Sequence, residues 1–245
     1  MTCRAALVTG ASGRLGRAVA VALSGRGYKV AAQGRDTARL ACTVRACVDP
    51  EHTVLPLIVD LTVESAAERV AQAVGSSWGR LDVLAHCAGI YPALPLSAEP
   101  RQWSDHWIDV IEHNLTSTAR LVRAVLPMLR DAPAPTIVLI GSEPVTRPAA
   151  RPDREAYYAS KGGVVGLSRG LAASLGRDGI HSVVVHPGWI VDDTALTDRR
   201  HQLPASAAGE AIAQLIELTA TVGLQDVVLV PRPTRKPPAD HEVST

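Results

Sequence analysis

The sequence has few of the residues that mark the common specialised protein classes. Among its 245 residues there is no Phe and there are only four Tyr and four Cys. The cysteines form no CxxC pair and are too sparse for a secreted disulfide scaffold, so we expect reduced thiols and a cytoplasmic protein. The eight histidines show neither HExxH nor paired-ligand spacing, which predicts no metal site.

An excess of charge of one sign is also missing. The chain has 25 basic and 24 acidic residues, a net charge of +1, so we expect no nucleic-acid or membrane partner and favour a small molecule. No apolar run approaches the roughly 18 residues of a membrane span, and the apolar run at the amino terminus is too short for a signal peptide. A hydrophobic content of 47% predicts a soluble globular protein with a sizeable core.

Lysine is almost absent, because only Lys29, Lys161 and Lys236 among the 25 basic residues are lysine. Lys161 follows Tyr157 by four residues, so the two side chains share one face of a predicted helix. An ammonium is a compact charge that lies beside a phenol and favours its anion, whereas a guanidinium is bulkier and planar. Most pairs at this spacing are solvated neighbours, so the pair is a candidate proton donor only if its surroundings agree.

Short β-branched or aliphatic runs alternate with longer amphipathic stretches, which is typical of βαβ units around a buried parallel sheet. We predict a single-domain α/β fold, a doubly wound Rossmann-type sheet of about seven strands with helices on both faces. Ligands bind beyond the carboxyl ends of the strands in such sheets. We expect strands near 4–9, 29–33, 53–59, 82–87, 136–140, 180–186 and 226–230, and helices near 14–24, 37–47, 64–77, 101–129, 155–176 and 205–221.

Two polar segments interrupt this alternation at strand ends where a ligand is expected. They are the proline-bearing loop 143–152 and the segment 192–204, and we expect the second to close over the ligand. We expect the domain to span residues 1–232 and the proline-rich tail 233–245 to be disordered.

A glycine loop joins the first predicted strand to the first helix. Gly10, Gly13 and Gly16 permit a tight turn and let the backbone approach a pyrophosphate, whose charge the helix N–H groups favour. The second strand ends at Arg35 without the acidic residue that binds a free ribose 2′-hydroxyl. We therefore predict NADPH rather than NADH, with Arg35 and Arg14 converging on its 2′-phosphate, although two solvated arginines are the alternative.

Asp60 follows the third predicted strand and is placed to accept a hydrogen bond from the adenine amino group. A turn or helix-capping aspartate is the alternative for this position.

Seven motifs follow one another in an order that resembles the single-domain short-chain dehydrogenase/reductase family, from about residue 4 to 230. They are the glycine loop, Asp60, Ala88-Gly89, Asn114, Ser142, the Tyr157/Lys161 pair and Pro187-Gly188. The loop itself resembles that of pteridine reductases and related NADPH-dependent members, in which a basic residue such as Arg14 replaces a glycine.

The resemblance implies a role for each of four residues. Tyr157 would donate the proton in carbonyl reduction, Lys161 would lower the pKa of that phenol and bind the nicotinamide ribose, and Ser142 would hydrogen-bond the substrate oxygen. Asn114 would hold a water that connects Lys161 to solvent. With the residues inferred above, the expected NADP contacts are Gly10, Ser12, Gly13, Arg14, Leu15, Gly16, Arg35, Asp60, Leu61, Ala88, Gly89, Tyr157, Lys161, Pro187 and Gly188.

Three positions depart from the family pattern or compete with it. His86-Cys87 stands where the family has Asn-Asn, so the hydrogen bonds of the first asparagine must be remade or lost. Pro231-Arg232-Pro233 replaces an Asp-Gly-Gly at the family's common tetramer interface, and we expect a homodimer or homotetramer. Tyr158 also lies near Lys161 in sequence and is expected to pack on the sheet side of its helix.

The function predicted from these residues is NADPH-dependent reduction of a carbonyl or imine of a small organic substrate, whose pocket Tyr91, Glu143 and Trp189 border. One alternative is a non-catalytic NADP(H)-binding regulator, in which a degraded Tyr/Lys/Ser set would be expected. The other is a sugar-nucleotide epimerase, which the glycine spacing also fits but which needs an additional C-terminal domain.

Overall fold

Seven parallel strands form one sheet in the computed structural model, which describes residues 3–146, 151–198 and 201–232. From one edge to the other the strands are β3 (Val54–Ile58), β2 (Lys29–Gly34), β1 (Ala5–Thr9), β4 (Val83–His86), β5 (Thr136–Ile140), β6 (His181–Pro187) and β9 (Asp226–Leu229). A separate parallel pair consists of β7 (Trp189–Val191) and β8 (Gln202–Pro204). The predicted single-domain α/β fold with a seven-stranded sheet is confirmed.

The described residues contain nine α-helices. They are α1 (Arg14–Ser24), α2 (Thr37–Ala46), α3 (Pro50–Thr53), α4 (Ala66–Trp78), α5 (Pro100–Ile111), α6 (Ser117–Arg130), α7 (Glu143–Thr146), α8 (Glu155–Leu175) and α9 (Ala205–Leu218). Of these helices, α4, α6 and α8 pack on one face of the sheet and α1, α2 and α9 on the other.

Local sequence signals determine several helix ends. At the start of α5, the Glu99 side chain accepts hydrogen bonds from the backbone N–H groups that follow Pro100. At the end of α4, Gly79 adopts φ +70° and terminates the helix.

Alternate residues of each strand enter two separate cores. Leu7 of β1 packs with α4, α6 and α8, whereas its neighbour Val8 packs on the opposite face with α1 and α9. All five residues of β1 are buried, as expected for a parallel sheet covered on both faces. Each fully buried Val or Leu contributes about 1.5–3 kcal/mol. The sheet is therefore a rigid base for the loops at its carboxyl edge.

The strand order reverses between β1 and β4, which places a crevice at the carboxyl ends of these two strands. From β1 the chain builds outward through β2 to β3, and it then returns to build β4, β5, β6 and β9 in the other direction. Loops that leave adjacent strands in opposite directions open a cleft at this point, where doubly wound sheets bind ligands.

Three predicted segments differ from the structure. The helix predicted over 101–129 is two α-helices joined by a π-helical turn at Glu112–Thr116, because an extra residue is accommodated in one turn. The polar segment 192–204 contains a 3₁₀ turn (Asp193–Ala195) and β8, and the loop 143–152 begins with α7. The predicted disordered tail 233–245 lies outside the described residues, as do 147–150 and 199–200.

No helix in the described part of the chain has the length and apolar character needed to cross a membrane. In the same residues, no cluster of three or more His, Cys, Asp or Glu side chains is arranged to hold a metal ion.

Candidate active site

The glycine loop lies where β1 passes into α1, and its backbone touches the chain after β4. Gly10 has φ +62°, and a Cβ atom there would lie 2.8 Å from the Ala88 nitrogen. A Cβ at Gly16 would lie 2.3 Å from the Gly10 carbonyl oxygen. Gly13 precedes α1, and no side chain caps this end of the helix. The free N–H groups at the start of α1 therefore face the cleft and suit a pyrophosphate.

A cavity of about 220 Å³ extends from the glycine loop toward the ends of β2 and β3. At its far side the Arg35 guanidinium lies 3.4 Å from Asp60 Oδ2 and 3.1 Å from His113 Nε2. The predicted cofactor residues that line it are Gly10, Ser12, Gly13, Arg35, Asp60, Leu61, Ala88 and Gly89. These residues fit the adenosine half of a dinucleotide, because they supply a close backbone approach, a cation and a carboxylate acceptor.

The Asp60 carboxylate is held in place by neighbouring donors. Its Oδ1 accepts from the Thr62 backbone nitrogen at 3.0 Å and from the Thr62 hydroxyl at 2.8 Å. Burial on its own would raise the pKa of Asp60, but the bonds from Thr62 and Arg35 outweigh it, so the pKa lies below its ordinary value. An ionised Asp60 is an acceptor, as the predicted adenine contact requires.

The expected convergence of Arg14 and Arg35 is not found. Arg14 Nε donates to Asp192 Oδ2 at 2.7 Å, and the side chain lines a different cavity together with Leu15. The reason is that Arg14 begins α1 next to the segment after β7, whereas Arg35 follows β2. Arg39, which the sequence reasoning missed, lies with Arg35 in the adenosine cavity. Its position one turn after Arg35, at the start of α2, is the signal that would have found it.

His86 forms two side-chain hydrogen bonds at the position where the family has an asparagine. Its ring bridges two hydroxyls: Thr9 Oγ1 at 3.0 Å from Nδ1, and Thr118 Oγ1 at 2.9 Å from Nε2. Thr9 Oγ1 accepts from the Ala88 nitrogen at 3.1 Å, and its own proton is available for His86 Nδ1. Thr118 donates to the Asn114 carbonyl oxygen at 2.9 Å, so it accepts from His86 Nε2. Both hydroxyls are satisfied only by the neutral ring protonated on Nε2.

The electrostatics of this ring agree with that assignment. Complete burial, reinforced by the charge of Lys161, lowers the pKa of His86 to about 3. The ring is therefore neutral at physiological pH and connects the glycine-loop strand with α6.

Ser142, Tyr157 and Lys161 come together at the carboxyl end of β5. Ser142 follows this strand, and its hydroxyl is near enough to the Tyr157 phenol to lower the pKa of that phenol, while Lys161 lies one turn later on α8. The buried Lys161 Nζ donates to the Ile140 carbonyl oxygen at 2.8 Å and lies 5.8 Å from the centre of the Tyr157 ring. Burial lowers the pKa of Lys161 to about 8, so the ammonium form prevails at neutral pH.

The expected lowering of the Tyr157 pKa is not found in this state of the protein. Burial raises the pKa of the phenol, and the opposing hydrogen bond from Ser142 does not compensate. The Lys161 ammonium lies over the ring and is bound to the Ile140 carbonyl rather than to the phenol oxygen. Tyr157 is therefore held protonated, which is the form that a proton donor needs.

Asn114 lies on the π-helical turn and joins two neighbouring elements. Its Oδ1 accepts from the Ile90 nitrogen at 2.8 Å, and its Nδ2 donates to the Ile90 oxygen and to Ser160 Oγ, both at 3.0 Å. Ser160 in turn donates to the Tyr157 carbonyl oxygen at 2.7 Å. The side chain thus fixes the segment after β4 against α8, and the water-holding role stays a prediction.

A second cavity, of about 930 Å³, opens in front of the phenol. Tyr91 stands edge-on to Tyr157 with ring centres 4.5 Å apart, and Trp189 lies 6.4 Å from Tyr91. The three predicted substrate residues Tyr91, Glu143 and Trp189 all line this cavity, together with Arg14, Leu15, Gly89, Ser142, Tyr157, Lys161, Pro187 and Gly188. Every predicted catalytic or cofactor residue except Asn114 and Gly16 therefore lines one of the two cavities.

Arg151 and Tyr158 also line this cavity, which the sequence reasoning did not anticipate. The Arg151 guanidinium lies 4.3 Å above the Trp189 ring. Tyr158 does not pack on the sheet side of α8, because its hydroxyl accepts from the Arg151 nitrogen at 2.8 Å. The two residues together close the end of the cavity nearest Trp189.

Comparison with known proteins agrees with this geometry. Residues 4–203 match the family model described as short chain dehydrogenase. The chain belongs to the short chain dehydrogenase family. It is an oxidoreductase of this family, whose members bind a nicotinamide cofactor and share the single-domain Rossmann-like fold found here.

Individual relatives include ketoreductases. The 3-oxoacyl-[acyl-carrier-protein] reductase FabG of Escherichia coli is 34% identical over 214 residues, which is 84% of each chain. A short chain dehydrogenase of Pseudocercospora fijiensis is 32% identical over 195 residues, 80% of this chain but only 62% of the relative. Among solved structures, the Pseudomonas aeruginosa RhlG/NADP active-site complex superimposes with a TM-score of 0.80 at 27% identity, covering 93% of this chain and 95% of that one.

Proposed function

We propose that this dehydrogenase is an NADPH-dependent reductase of a carbonyl or imine in a small organic substrate. The observation that carries the proposal is the group formed by buried Ser142 and Lys161 with the partly buried Tyr157, on the wall of a cavity of about 930 Å³ with aromatic sides. The kinship with 3-oxoacyl-[acyl-carrier-protein] reductases supports carbonyl chemistry.

The cofactor supplies the hydride, and the protein side chains handle the charge that develops on the substrate. The Ser142 hydroxyl hydrogen-bonds the substrate oxygen or nitrogen and holds it near the Tyr157 phenol. Tyr157, kept protonated by its burial, gives up its proton as negative charge builds on that atom. The Lys161 ammonium then stabilises the phenolate that remains, and its other donors would hold the ribose of a bound nicotinamide cofactor.

The preference for the phosphorylated cofactor rests on the adenosine cavity. Arg35 and Arg39 line it, and no acidic residue follows β2 directly, since Gly34 is followed by Arg35. Guanidinium groups bind phosphate oxygens in bidentate fashion. The similar RhlG structure was determined with NADP. Arg14, in the position where pteridine reductases carry a basic residue, adds a cation at the boundary with the substrate cavity.

The partners proposed are a small-molecule substrate and further copies of this chain in the cytoplasm. α5 carries a stacked Trp103–Trp107 pair, with ring centres 5.3 Å apart, beside Ile108, which is 63% exposed. Exposed apolar groups of this kind favour an interface between copies. These groups support the proposed homodimer or homotetramer, and light scattering of the purified protein measures the oligomeric state.

Substitution of the phenol tests the proposed chemistry. We expect Tyr157→Phe to lower kcat for NADPH-dependent reduction by about 10²–10⁴-fold, because general acid catalysis contributes that much. Tyr158→Phe is the matched control, since it removes a neighbouring hydroxyl that contacts Arg151 instead. Turnover is followed as NADPH absorbance with a panel of ketones, 3-oxoacyl thioesters and cyclic imines. Full activity in the Tyr157→Phe variant would rule out the mechanism.

A further inference from the structure

A buried histidine lies directly behind the serine that the proposed reaction uses. His186 occupies β6 one residue before its end, and its side chain is completely buried. Its Nδ1 lies 3.3 Å from the Ser142 nitrogen and 3.2 Å from the Ser142 oxygen. On the other side of the ring, Nε2 lies 3.0 Å from Asp226 Oδ1 on the edge strand β9. The three residues form a hydrogen-bonded line from the sheet edge to the serine.

The packing shows that the backbone is adapted to this ring. Gly141 separates β5 from Ser142, and a Cβ atom there would lie 2.5 Å from His186 Nδ1 and 2.7 Å from Cε1. Gly141 also donates its own N–H to the Val185 oxygen at 2.8 Å. The Ser142 backbone can therefore come within hydrogen-bond distance of the imidazole only because residue 141 has no side chain.

The donors and acceptors are fixed by the chemistry of the groups. Asp226 is a carboxylate whose other oxygen lies 3.5 Å from Arg169, so Nε2 must carry the proton that it donates to Oδ1. In the neutral ring Nδ1 then accepts from the Ser142 N–H, whereas a protonated ring would donate from Nδ1 to the Ser142 oxygen. In both forms the imidazole binds the backbone of Ser142.

We propose that His186, oriented by Asp226, is a positioning residue that holds the backbone of Ser142 so that its hydroxyl stays directed at Tyr157 and the substrate. The role rests on the proposed reductase function. The other backbone bond at the same position is from the Val145 N–H to the Ser142 oxygen at 3.1 Å, within the short helix α7. His186 ties this turn to strand β6 of the sheet.

Two amide substitutions at position 186 distinguish the hydrogen bond to Ser142 from the hydrogen bond to Asp226. Gln at position 186 places a polar atom near Nε2, so His186→Gln keeps the contact with Asp226 and loses the one with Ser142. Asn places it near Nδ1, so His186→Asn keeps the contact with Ser142. We expect His186→Gln to lower kcat about 10–100-fold, since small misplacements of reacting groups cost up to about 10²-fold. The KM for NADPH should change less than about twofold, and His186→Asn should restore most of kcat.

A double variant shows whether the effect passes through the serine. In His186→Gln/Ser142→Ala, kcat should equal that of Ser142→Ala alone, because the hydroxyl that His186 positions is already absent. His181→Gln is the matched control: His181 begins the same strand and accepts from the Leu224 nitrogen at 3.1 Å, at the opposite end of the sheet. It should leave kcat unchanged. Unreduced kcat in His186→Gln, or a loss that multiplies with that of Ser142→Ala, would overturn the proposal.

Variants at Asp226 supply the test if substitutions inside the sheet fail to fold. Asp226→Asn keeps an acceptor for Nε2 and should retain kcat, whereas Asp226→Ala removes it and should lower kcat. Equal activities in these two variants would count against the role of Asp226.

Amide exchange at Ser142, followed by NMR in the free protein, needs no turnover. Exchange should be at least about tenfold faster in His186→Gln than in the wild type and in His186→Asn. If the wild type reduces no carbonyl or imine while this exchange pattern holds, the proposed function fails and the positioning stands. If kcat falls without any change in exchange at Ser142, the positioning fails and the reductase function stands.

Discussion

Two exposed arginines give the adenosine cavity its positive charge. Arg35 is bonded to Asp60 and His113, and Arg39 to Asp36, so both guanidinium groups are held at the rim before any phosphate arrives. An arginine that is already oriented loses less side-chain entropy when it binds a phosphate.

Removal of either charge should therefore weaken NADPH binding selectively. We expect Arg35→Gln and Arg39→Gln each to raise the KM for NADPH about tenfold and to leave the KM for NADH nearly unchanged, because each loses one charge-assisted bond. Arg45→Gln, on the last turn of α2 outside the cavity, is the control. Steady-state kinetics with both cofactors measure the ratio, and an equal effect on NADH would contradict the assignment.

His86 links stability to pH. Its pKa is lowered from 6.5 to about 3, so the folded protein keeps the ring neutral where the unfolded chain binds a proton. The free energy of unfolding is therefore not reduced by this group above about pH 6.5. As the pH falls from there toward 3, it decreases by about 1.4 kcal/mol per pH unit.

Urea unfolding between pH 7 and 5 measures this loss. We expect His86→Asn to flatten the decline of the free energy of unfolding with falling pH. His52→Asn should keep the wild-type slope or steepen it slightly, because His52 is exposed and Asp49 raises its pKa. Parallel curves for wild type and His86→Asn would show that the buried ring is not the titrating group.

At the residue level the sequence predicted which side chains gather but not their protonation or direction. The order of motifs was enough to bring Ser142, Tyr157 and Lys161 together. Spacing contains no measure of burial, however, and burial raises the pKa of Tyr157. Residue spacing also does not show which partner a long side chain at the start of a helix will bind. Arg14 was therefore expected to converge with Arg35, whereas it is bonded to Asp192.

The π-helical turn at Glu112–Thr116 is the element whose shape matters most for the site. It carries Asn114, whose three side-chain bonds join the segment after β4 to α8. The hydrophobic pattern of residues 101–129 predicted one continuous helix, because each flanking segment keeps a helical period and the inserted residue only shifts the phase between them.

Truncation of the Asn114 side chain should lower both the free energy of unfolding and kcat. We expect Asn114→Ala to lower the free energy of unfolding by about 1–3 kcal/mol, since it removes three hydrogen bonds and leaves the partly buried Ile90 N–H unpaired. The kcat should fall at least tenfold, because α8 loses a support. Ser117→Ala removes one bond from the next turn, to the His113 oxygen, and is the control for both measurements. A Ser117 effect as large as that of Asn114 would argue for general weakening of the segment.

Across the whole molecule, the architecture was predictable because both faces of the sheet are buried. Strands such as β5 are buried throughout and almost entirely apolar, and they leave little choice of fold once helices alternate with them. None of the described residues in the segments 143–152 and 192–204 belongs to either core, so the hydrophobic pattern does not determine the structure of these segments.

The packing of α9 on α1 offers a test of this arrangement. Gly209 lies against Ala18, and a Cβ atom there would come within 2.5 Å of its carbonyl carbon. We expect Gly209→Ala to lower the free energy of unfolding by about 1–3 kcal/mol through overpacking. Gly170→Ala, on an open face of α8, should instead be neutral or stabilising by up to about 1 kcal/mol. Urea unfolding compares the two, and a stabilised Gly209→Ala would show that the helices are not in close contact.

The bridge formed by His86 also constrains how this chain diverges. Its ring needs one hydroxyl that donates, from Thr9, and one that accepts, from Thr118, and these positions lie on three different elements. A substitution of any one of these three residues leaves a buried polar atom without a hydrogen-bond partner until the other positions change as well. Positions 9, 86 and 118 are therefore expected to covary among descendants of this sequence, inherited as a set although they lie far apart along the chain.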